Sequence, residues 1–297
     1  MEGLFLEFGI VTRNSNSWSS TQLREALTER SIACTCLSFP RLIARVGYRP
    51  RFRVEETGTL DGLDALIIRP VGRGSIEELV FRMDALYRLE RLGLYTINPP
   101  EAIEHCVDKY DVLTILEENG IPVPRTAVTE NVDEALKAFD ELAGNVVIKP
   151  LFGSRGVGST RITDAEIATS VFRAIRYYHG VIYIQEFVQH GFSDVRAFVI
   201  GDQVAAAMKR VAGSWKTNYS QGGRPEAVKL TKEVQDMAIK SARCVACKIA
   251  GIDVLESQKG PVVIDVNSQP GWKGLQSITK TSIAGKIVDF ILSELKK

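Results

Sequence analysis

The stretch Gly251–Gly274 reads GIDVLESQKGPVVIDVNSQPGWKG, and two apolar runs in it flank a turn at Lys259-Gly260-Pro261. This pattern predicts a β-hairpin. Asp253 lies in the first run, and Asp265 and Asn267 lie in the second. If the two runs pair, three oxygen ligands converge, which suits Mg²⁺, an ion that binds a few protein oxygens together with water and substrate phosphates. A hairpin with polar residues on its solvent face explains the same pattern.

The alternation of side chains along a strand sharpens this prediction. Residues i and i+2 point to one face, so Asp265 and Asn267 should project together, while Ile264 and Val266 should face the opposite way, into a core. The rest of the sequence decides whether the polar face is a metal site or a solvated surface.

Length and charge narrow the class of protein. The chain has 297 residues, more than most single domains, which predicts two or three subdomains. Its 37 basic and 36 acidic residues leave a formal charge of +1, so no bulk attraction to nucleic acid or to an anionic membrane is expected. The first residues, MEGLFLEFGIVTRN, lack a basic flank and a cleavage site, and no apolar run reaches membrane-spanning length. We therefore expect a cytoplasmic protein.

The five cysteines do not indicate a disulfide framework, because their number is odd and the chain is large. Cys244 and Cys247 form a C-x-x-C pair within a segment whose apolar residues recur at helical spacing. We interpret them as small packing residues of a helix. A zinc or redox site is the alternative, but no second Cys/His pair completes a tetrahedral set.

The first hundred residues predict a small parallel α/β lobe. Strand patterns at 4–12, 34–39, 63–69 and 92–100 alternate with helix patterns at 21–30 and 75–92, whereas 40–59 shows no clear period. Ser75 is the expected cap of the second helix.

The remainder predicts a central lobe and a C-terminal lobe with antiparallel strands. Helices are expected near 109–120, 133–142 and 164–178, and strand-like runs near 145–150, 181–188, 194–201 and 203–211. The fold class is therefore α/β, with an N-terminal α/β domain at 1–104, a central lobe at 105–185 and a C-terminal lobe with the metal site at 186–297.

A glycine-rich loop follows the strand that contains Lys149. Gly153, Gly156 and Gly158 lie within FGSRGVGS, where backbone N–H groups could approach phosphate oxygens closely. Neither a Walker A loop nor a dinucleotide fingerprint is present. A mobile hairpin turn explains the loop equally well on its own.

Several charged residues could serve the same site. Lys109 opens a helix, and the segment Gln185–Val188 ends an apolar strand whose edge could bind an adenine. Arg196 and Arg210 lie on strands, where cations suit an anionic reactant because they stabilise charge developing on a phosphoryl or acyl oxygen. Solvated surface charges are the alternative at each position.

These motifs occur in the order found in ATP-grasp enzymes, over roughly residues 105–275. The segments KRVAGSWKTNYSQGG and DVNSQPGWKG resemble most the RimK-like branch of α-L-glutamate ligases. The N-terminal segment IIRPVGRGSIEELVFRMDALYRLERLGLYTINPP looks like the archaeal enzymes that attach glutamate to tetrahydromethanopterin or to the deazaflavin coenzyme F420.

The resemblance implies an ATP-grasp fold in which two lobes hold ATP, a substrate carboxylate receives the γ-phosphate, and an amine attacks the acylphosphate. It implies two Mg²⁺ ions, with Mn²⁺ as the alternative, held by Asp253, Asp265 and Asn267, and catalytic roles for Arg196 and Arg210. The nucleotide contacts that it implies are Lys109, Lys149, Ser154, Gly156, Gly158, Gln185, Glu186, Phe187, Val188, Asp194, Lys216, Thr217 and Asn218.

Two positions depart from related families. Many ATP-grasp proteins have Glu where this chain has Asp265, and D-alanine ligases have Arg where this chain has Gly251. The second departure disfavours a D-alanine ligase and leaves charge stabilisation to Arg196 and Arg210.

The expected partners are ATP, L-glutamate and a small carboxylate coenzyme, without nucleic acid or membrane, in a homodimer or homotetramer. Alternative acceptors are a protein C-terminus and an amino-acid carrier protein, and a non-catalytic nucleotide-binding regulator is the alternative from another class. Arg69, Arg73 and Arg82 are candidate contacts for the acceptor, although exposed arginines are common.

Overall fold

The computed structural model describes residues 5–55, 58–153 and 156–297. Its N-terminal part contains, in chain order, β1 (Glu7–Val11), α1 (Trp18–Thr28), β2 (Ala33–Leu37), β3 (Leu42–Ala44), β4 (Phe52–Val54), β5 (Gly58–Thr59), β6 (Ala65–Ile68), α2 (Ile76–Arg91) and β7 (Tyr95–Ile97). The predicted parallel sheet is present, with the strand order β2-β1-β6-β7. All four residues of β6 are buried, as expected for a parallel strand covered on both faces.

Two local features of this part go beyond the sequence prediction. The segment without clear period folds as a small antiparallel sheet of β3, β4 and β5, whose strands are too short to show alternation. Ser75 caps α2 as predicted, and Glu78 completes a capping box by accepting from the Ser75 N–H.

A helix missed in the sequence follows β7. The strand pattern at 92–100 ends in Pro99 and Pro100 and predicts no helix here, but Pro100 begins α3 (Pro100–Val107), since proline is favoured in the first helical turn, where its missing N–H costs nothing. Asp108 then caps α4 (Lys109–Glu118) by accepting from the N–H groups of Tyr110 and Asp111.

The central part forms a four-stranded antiparallel sheet in the order β10-β9-β11-β8. Its elements are β8 (Thr126–Thr129), α5 (Val132–Glu141), β9 (Val146–Lys149), β10 (Thr160–Ile162), α6 (Ala165–Tyr177) and β11 (Ile182–Glu186). Apolar residues of α5 and α6 share a core with those of β9 and β11.

The C-terminal part is built on a five-stranded antiparallel sheet in the order β14-β13-β12-β15-β16. Its elements are β12 (Ser193–Ile200), β13 (Gln203–Val211), β14 (Arg224–Ala227), α7 (Lys232–Cys244), β15 (Ile249–Ser257), β16 (Gly260–Asn267), α8 (Lys273–Ile278) and α9 (Ile283–Leu295). The hairpin expected in Gly251–Gly274 is therefore present as β15 and β16.

The first and last helices of the chain pack together. Leu23 of α1 and Ile287 of α9 belong to one buried cluster that also contains Phe198 and Trp272. The N-terminal sheet and the C-terminal sheet thus share a core, and the bounds of the three domains given above remain a prediction.

The C-x-x-C cysteines pack as expected, with one difference. α7 ends at Cys244, so Cys247 lies beyond the helix, where it is buried and its Sγ lies 3.5 Å from the Sγ of Cys106. Among the described residues no helix has the length and apolar character needed to cross a membrane.

Candidate active site

The hairpin of β15 and β16 brings the three predicted oxygen ligands together. Asp253 and Asp265 are directly opposite each other across the two strands, and Asn267 donates from Nδ2 to Oδ2 of Asp265 over 3.2 Å. The register shifts between Asp253 and Val254, so Ile264 is an extra residue on β16. Such a bulge redirects neighbouring side chains, and Ile264 is accordingly only half-buried, whereas Val266 is fully buried as predicted.

Two arginines and two aspartates form a buried network beside this hairpin. Arg196 donates from Nε and Nη2 to the two carboxylate oxygens of Asp253, the second over 2.7 Å. Arg210 binds both oxygens of Asp194 in the same way and also contacts Oδ1 of Asp253 at 2.9 Å. All four side chains lie on neighbouring positions of β12, β13 and β15, at most 10% exposed. The planar forks of both arginines are thereby held in fixed orientations.

The pKa values of the two candidate metal carboxylates, Asp253 and Asp265, shift in opposite directions. Burial opposes ionisation of Asp253, but Arg196 and Arg210 outweigh it and hold the pKa of Asp253 below its usual value. Burial raises the pKa of Asp265, and the negative charge of Asp253 raises it further. Lys109, Arg196 and Lys149 lower the pKa of Asp265 but do not offset its burial and the charge of Asp253.

The residues around Asp265 fit a divalent cation. Asn267 uses its Nδ2 to donate to Asp265 and to the Gly251 carbonyl, so its Oδ1 accepts no hydrogen bond from the described residues. A carboxylate oxygen beside a free amide carbonyl matches the hard oxygen ligands that Mg²⁺ prefers. Within the described ranges no three His, Cys, Asp or Glu side chains cluster in a way that could hold a metal, so the third ligand of the predicted set is the amide.

Lys149 faces the same cleft from the central sheet. Its Nζ donates to Oε1 of Gln185 over 2.6 Å, and Gln185 is fixed in turn by donating to the hydroxyls of Thr126 and Tyr183 at 3.0 and 3.1 Å. Desolvation lowers the pKa of Lys149 to about 8, although the charge of Asp265 opposes the shift. Gln185, which the resemblance placed among the nucleotide contacts, thus positions the Lys149 ammonium group.

Lys109 connects the start of α4 to the glycine loop. Its Nζ donates to the carbonyl oxygens of Gly153 and Leu151 at 2.7 and 3.3 Å. Burial lowers the pKa of Lys109, while Asp265 and Asp108 oppose the shift. A cation is therefore held beside the loop that follows β9.

The glycines of this loop are required by its backbone. Gly156 and Gly158 have φ angles of +69° and +80°, which side-chain-bearing residues rarely adopt. A Cβ on Gly156 would also collide with Oδ1 of Asn218, so the loop lies against the KTN segment. The predicted contact Ser154 falls outside the described residues.

The strand end that was predicted to bind adenine is already ordered by other contacts. Glu186 accepts from the N–H and the Nε of Arg125 at 3.0 and 2.9 Å. Burial of Glu186 acts in the opposite direction, but these bonds lower its pKa. The half-buried Val188 follows two residues later.

Phe187 is enclosed by a cation and an indole. The Arg161 guanidinium lies 3.7 Å from the ring centroid of Phe187, and the Trp215 ring lies 6.2 Å away, edge-on. The Nζ of Lys216 lies 5.3 Å from the ring centroid of Trp215, and Thr217 is buried. The sequence motif containing Trp215 pointed to this region, but no local pattern in the sequence identifies Arg125 or Arg161, which come from other strands and loops.

The absence of a side chain at Gly251 allows Arg196 and Pro270 to pack closely against its backbone. A Cβ at this position would lie 2.6 Å from Nη1 of Arg196 and 2.9 Å from Cβ of Pro270. Any larger residue would force Arg196 or Pro270 to shift. The position at which D-alanine ligases have an arginine is therefore filled here by the guanidinium of Arg196.

Solved structures with the same fold are ATP-grasp proteins. The ATP-grasp ligase PsnB complexed with its minimal precursor superposes with a TM-score of 0.77 over 98% of this chain and 100% of that chain, at 21% identity. The RimK domain ATP-grasp protein of Sphaerobacter thermophilus gives 0.75 over 96% and 98%, at 20% identity. The predicted ATP-grasp fold is confirmed.

Relatives with higher identity cover nearly the whole chain. A tetrahydromethanopterin:alpha-L-glutamate ligase of Methanococcus maripaludis is 33% identical over 98% of this chain and 100% of its own length, and one of Methanocaldococcus jannaschii is 37% identical over 80% and 82%. A probable alpha-L-glutamate ligase of Trichodesmium erythraeum is 31% identical over 98% of both chains.

The fold and these relatives together define an ATP-dependent ligase that forms carbon–nitrogen bonds. The RimK-like ATP-grasp domain matches residues 106–291, more than half of the chain. The chain belongs to the RimK-like ATP-grasp family.

Proposed function

We propose that this protein joins the amine of L-glutamate to a carboxylate of a tetrahydromethanopterin-type coenzyme, with release of ADP and phosphate. The observation that carries the proposal is the position of Asp265 and Asn267, which lie between the paired arginines on one side and the cations Lys109 and Lys149 on the other. The names of the relatives from Methanococcus and Methanocaldococcus support the choice of acceptor. Coenzyme F420 is the second candidate acceptor.

The nucleotide phosphates would lie between the two lobes. Lys109, Lys149 and the N–H groups of the loop containing Gly156 and Gly158 offer positive charge and donors to them. Phe187 lies at the strand end, where its ring suits the adenine side of the site. Asp194, Lys216, Thr217 and Asn218 remain proposed nucleotide contacts.

A divalent cation would be held by Asp265 and Asn267, with Asp253 as a further carboxylate. Bound Mg²⁺, or Mn²⁺ in its place, would neutralise charge on the β- and γ-phosphates. Asp253 accepts hydrogen bonds at both oxygens, but an ionised carboxylate offers about four acceptor sites, so it can keep its arginines and still contact a cation.

The chemistry then needs two steps. The γ-phosphoryl group passes from ATP to an oxygen of the acceptor carboxylate, which gives an acylphosphate and ADP. The glutamate amine attacks the acyl carbon, loses a proton, and displaces phosphate. Arg196 and Arg210 stabilise the oxygen that becomes negative in the second step, because their orientation is set in advance by Asp253 and Asp194.

Two alternatives to a coenzyme ligase remain, and each can be tested. A protein C-terminus or an amino-acid carrier protein could replace the coenzyme as acceptor, although the formal charge of +1 gives no bulk attraction to an acidic carrier. A nucleotide-binding regulator would bind ATP and Mg²⁺ without turnover. We further propose a cytoplasmic homodimer or homotetramer.

The test is a turnover assay with purified protein. ADP and phosphate should form only when Mg²⁺, L-glutamate and the acceptor are all present, and the acceptor should gain the mass of one glutamate residue. Release of AMP, or no turnover with either coenzyme, with a protein C-terminus or with a carrier protein, would contradict the proposal. Nucleotide binding without turnover would favour the regulator.

A further inference from the structure

The arginines of the N-terminal sheet differ sharply in how they are paired. Arg82 is buried and fully used, since Nη1 donates to the carbonyls of Val71 and Arg73 and Nη2 to Glu78. It holds the loop after β6 in place. This arginine, one of three predicted acceptor contacts, is therefore structural.

Arg69 has no such partner. It follows β6 and is half-buried, its Nε is buried without a hydrogen-bond partner, and no described side chain accepts from its terminal nitrogens. Desolvation lowers the pKa of Arg69 to about 10, and no carboxylate offsets this effect. A desolvated cation without a counter-ion is costly, so we expect an anion that is supplied from outside the chain.

Arg13 follows β1, the strand next to β6, Arg73 directly follows Gly72 in the loop that contacts Arg13, and neither has a carboxylate partner in the described part of the chain. β1 and β6 are parallel, with Val11 opposite Ile68, so continuing the register places Arg13 next to the residue after Arg69. Gly72 shows the same proximity, because a Cβ there would lie 3.0 Å from Cδ of Arg13. We call Arg13, Arg69 and Arg73 the open arginine cluster.

The topology explains why a ligand would bind here. The strand order β2-β1-β6-β7 reverses direction between β1 and β6, and the carboxyl ends of these strands carry Arg13 and Arg69. In open α/β sheets the crevice at such a reversal is where ligands bind.

The open arginine cluster lies directly behind the reaction site. The Arg69 guanidinium stacks on Trp272 at 4.7 Å from the ring centroid, and Pro270 of the same segment packs against Gly251 beside Arg196. The small cavity lined by Arg69, Pro270 and Trp272 has a volume of about 20 Å³, enough for one water molecule. This cavity is too small for a carboxylate or phosphate, so an anion would contact the terminal nitrogens of Arg69 from outside the cavity.

We infer that the open arginine cluster binds anionic groups of the acceptor other than the reacting carboxylate, so that the acceptor is a polyanion carrying further carboxylates or phosphates. This inference rests on the proposed ligase function and specifies its substrate class. Arg69 would fix the acceptor so that its reacting carboxylate reaches Arg196. Three arginines match several negative charges better than a single one.

The first experiment measures acceptor preference. The acceptors are N-benzoyl-alanine with one carboxylate, N-benzoyl-glutamate with two, N-benzoyl-glutamyl-glutamate with three, and N-benzoyl-phosphoserine with a phosphate. Measured as ADP formation, kcat/KM should be higher for N-benzoyl-glutamyl-glutamate than for N-benzoyl-alanine. Arg69→Gln should reduce the ratio of these two values about tenfold, the size of one charge-assisted hydrogen bond. The phosphoserine compound shows whether phosphate is preferred. Arg173→Gln, an exposed arginine on α6, is the control and should keep the preference.

The second experiment measures anion binding without turnover. Citrate is titrated calorimetrically into the protein with saturating Mg²⁺ and ADP, which fill the nucleotide site. Arg13→Gln/Arg69→Gln should weaken citrate binding at least tenfold relative to the wild type and to Arg173→Gln, with melting temperatures confirming that all variants fold. Citrate binding that is absent in the wild type, or unchanged in the double variant, overturns the inference. Loss of citrate binding in the double variant together with no turnover on any acceptor would instead contradict the ligase function and leave the anion site standing.

Discussion

Two groups of arginines in this molecule use the same side chain in opposite ways. Arg196 and Arg210 are buried against Asp253 and Asp194, which neutralise and orient them. Arg69, by contrast, is desolvated beside Trp272 without an acidic partner. The paired arginines are held in orientations that suit negative charge developing during a reaction. The unpaired arginine instead suits negative charge that a bound ligand supplies.

Substitution of Asp265 should have the largest effect, because Asp265 is the candidate metal carboxylate that makes no ion pair with either arginine and whose pKa stays raised. Asp265→Ala should lower the rate of ADP formation by about a thousandfold, as expected when charge stabilisation of the transferred phosphoryl group is lost. The melting temperature without Mg²⁺ should not fall, since the variant removes a buried charge whose pKa is raised. Asp265→Asn keeps the size of the side chain and should be as inactive. A variant with the wild-type rate would remove Asp265 from the metal site.

The sequence predicted the parts of this site that depend on residues close together in the chain, and missed those that depend on distant residues. The hairpin, and the meeting of Asp253 with Asp265 and Asn267, could be predicted because strand alternation and a short turn are local. The salt bridges of Arg196 with Asp253 and of Arg210 with Asp194 depend on which strands become neighbours in the sheet, and composition does not show that.

The fold was predicted to a similar extent. Helices with capping residues and strands with clear alternation were located within a few residues. α3 was missed because its two prolines resemble a strand end, and β3 to β5 because strands of two or three residues show no period. Partners such as Arg125 for Glu186 join positions 61 residues apart, which no local pattern reveals.

Removing one partner from the buried arginine–aspartate network should reduce the free energy of unfolding. Asp194→Ala removes both carboxylate oxygens that bind Arg210 and should lower the free energy of unfolding by about 3 kcal/mol, because a buried guanidinium loses its closest counter-ion. Chemical denaturation measures this value. Asp289→Ala breaks the more exposed ion pair with Arg30 and should cost less than about 1 kcal/mol. Equal losses in both variants would contradict the special role of the buried network.

Removing the charge of the unpaired Arg69 should change the free energy of unfolding little. Arg69→Met replaces the guanidinium with an apolar side chain of similar length and should change the free energy of unfolding by less than about 1 kcal/mol, since a desolvated, unpaired charge is lost together with its contact to Trp272. Denaturant titration of the variant beside Asp194→Ala gives the comparison directly. A loss as large as that of Asp194→Ala would show that Arg69 has a structural anion partner after all.

The smallest expected effect is a proton taken up by Lys149. Its pKa of about 8 in the folded protein lies below the ordinary value of 10.5, so the unfolded state binds more protons between pH 8 and 10.5, and stability rises with pH across this range. Phosphates of ADP should restore the charge of Lys149, so binding of Mg²⁺ and ADP at pH 8 should take up about half a proton. Calorimetry in buffers of different ionisation enthalpy measures this uptake, and Lys149→Met should abolish it.

The central claim is that the acceptor carboxylate is activated as an acylphosphate in the site that contains Asp265, Arg196 and Arg210. An acceptor labelled with ¹⁸O in its reacting carboxylate tests it most directly, with mass spectrometry of the phosphate released during amide formation. The account predicts one ¹⁸O atom in each phosphate, because the acyl–oxygen bond breaks when glutamate attacks. Phosphate without ¹⁸O, formed at the same rate as the amide, would contradict it.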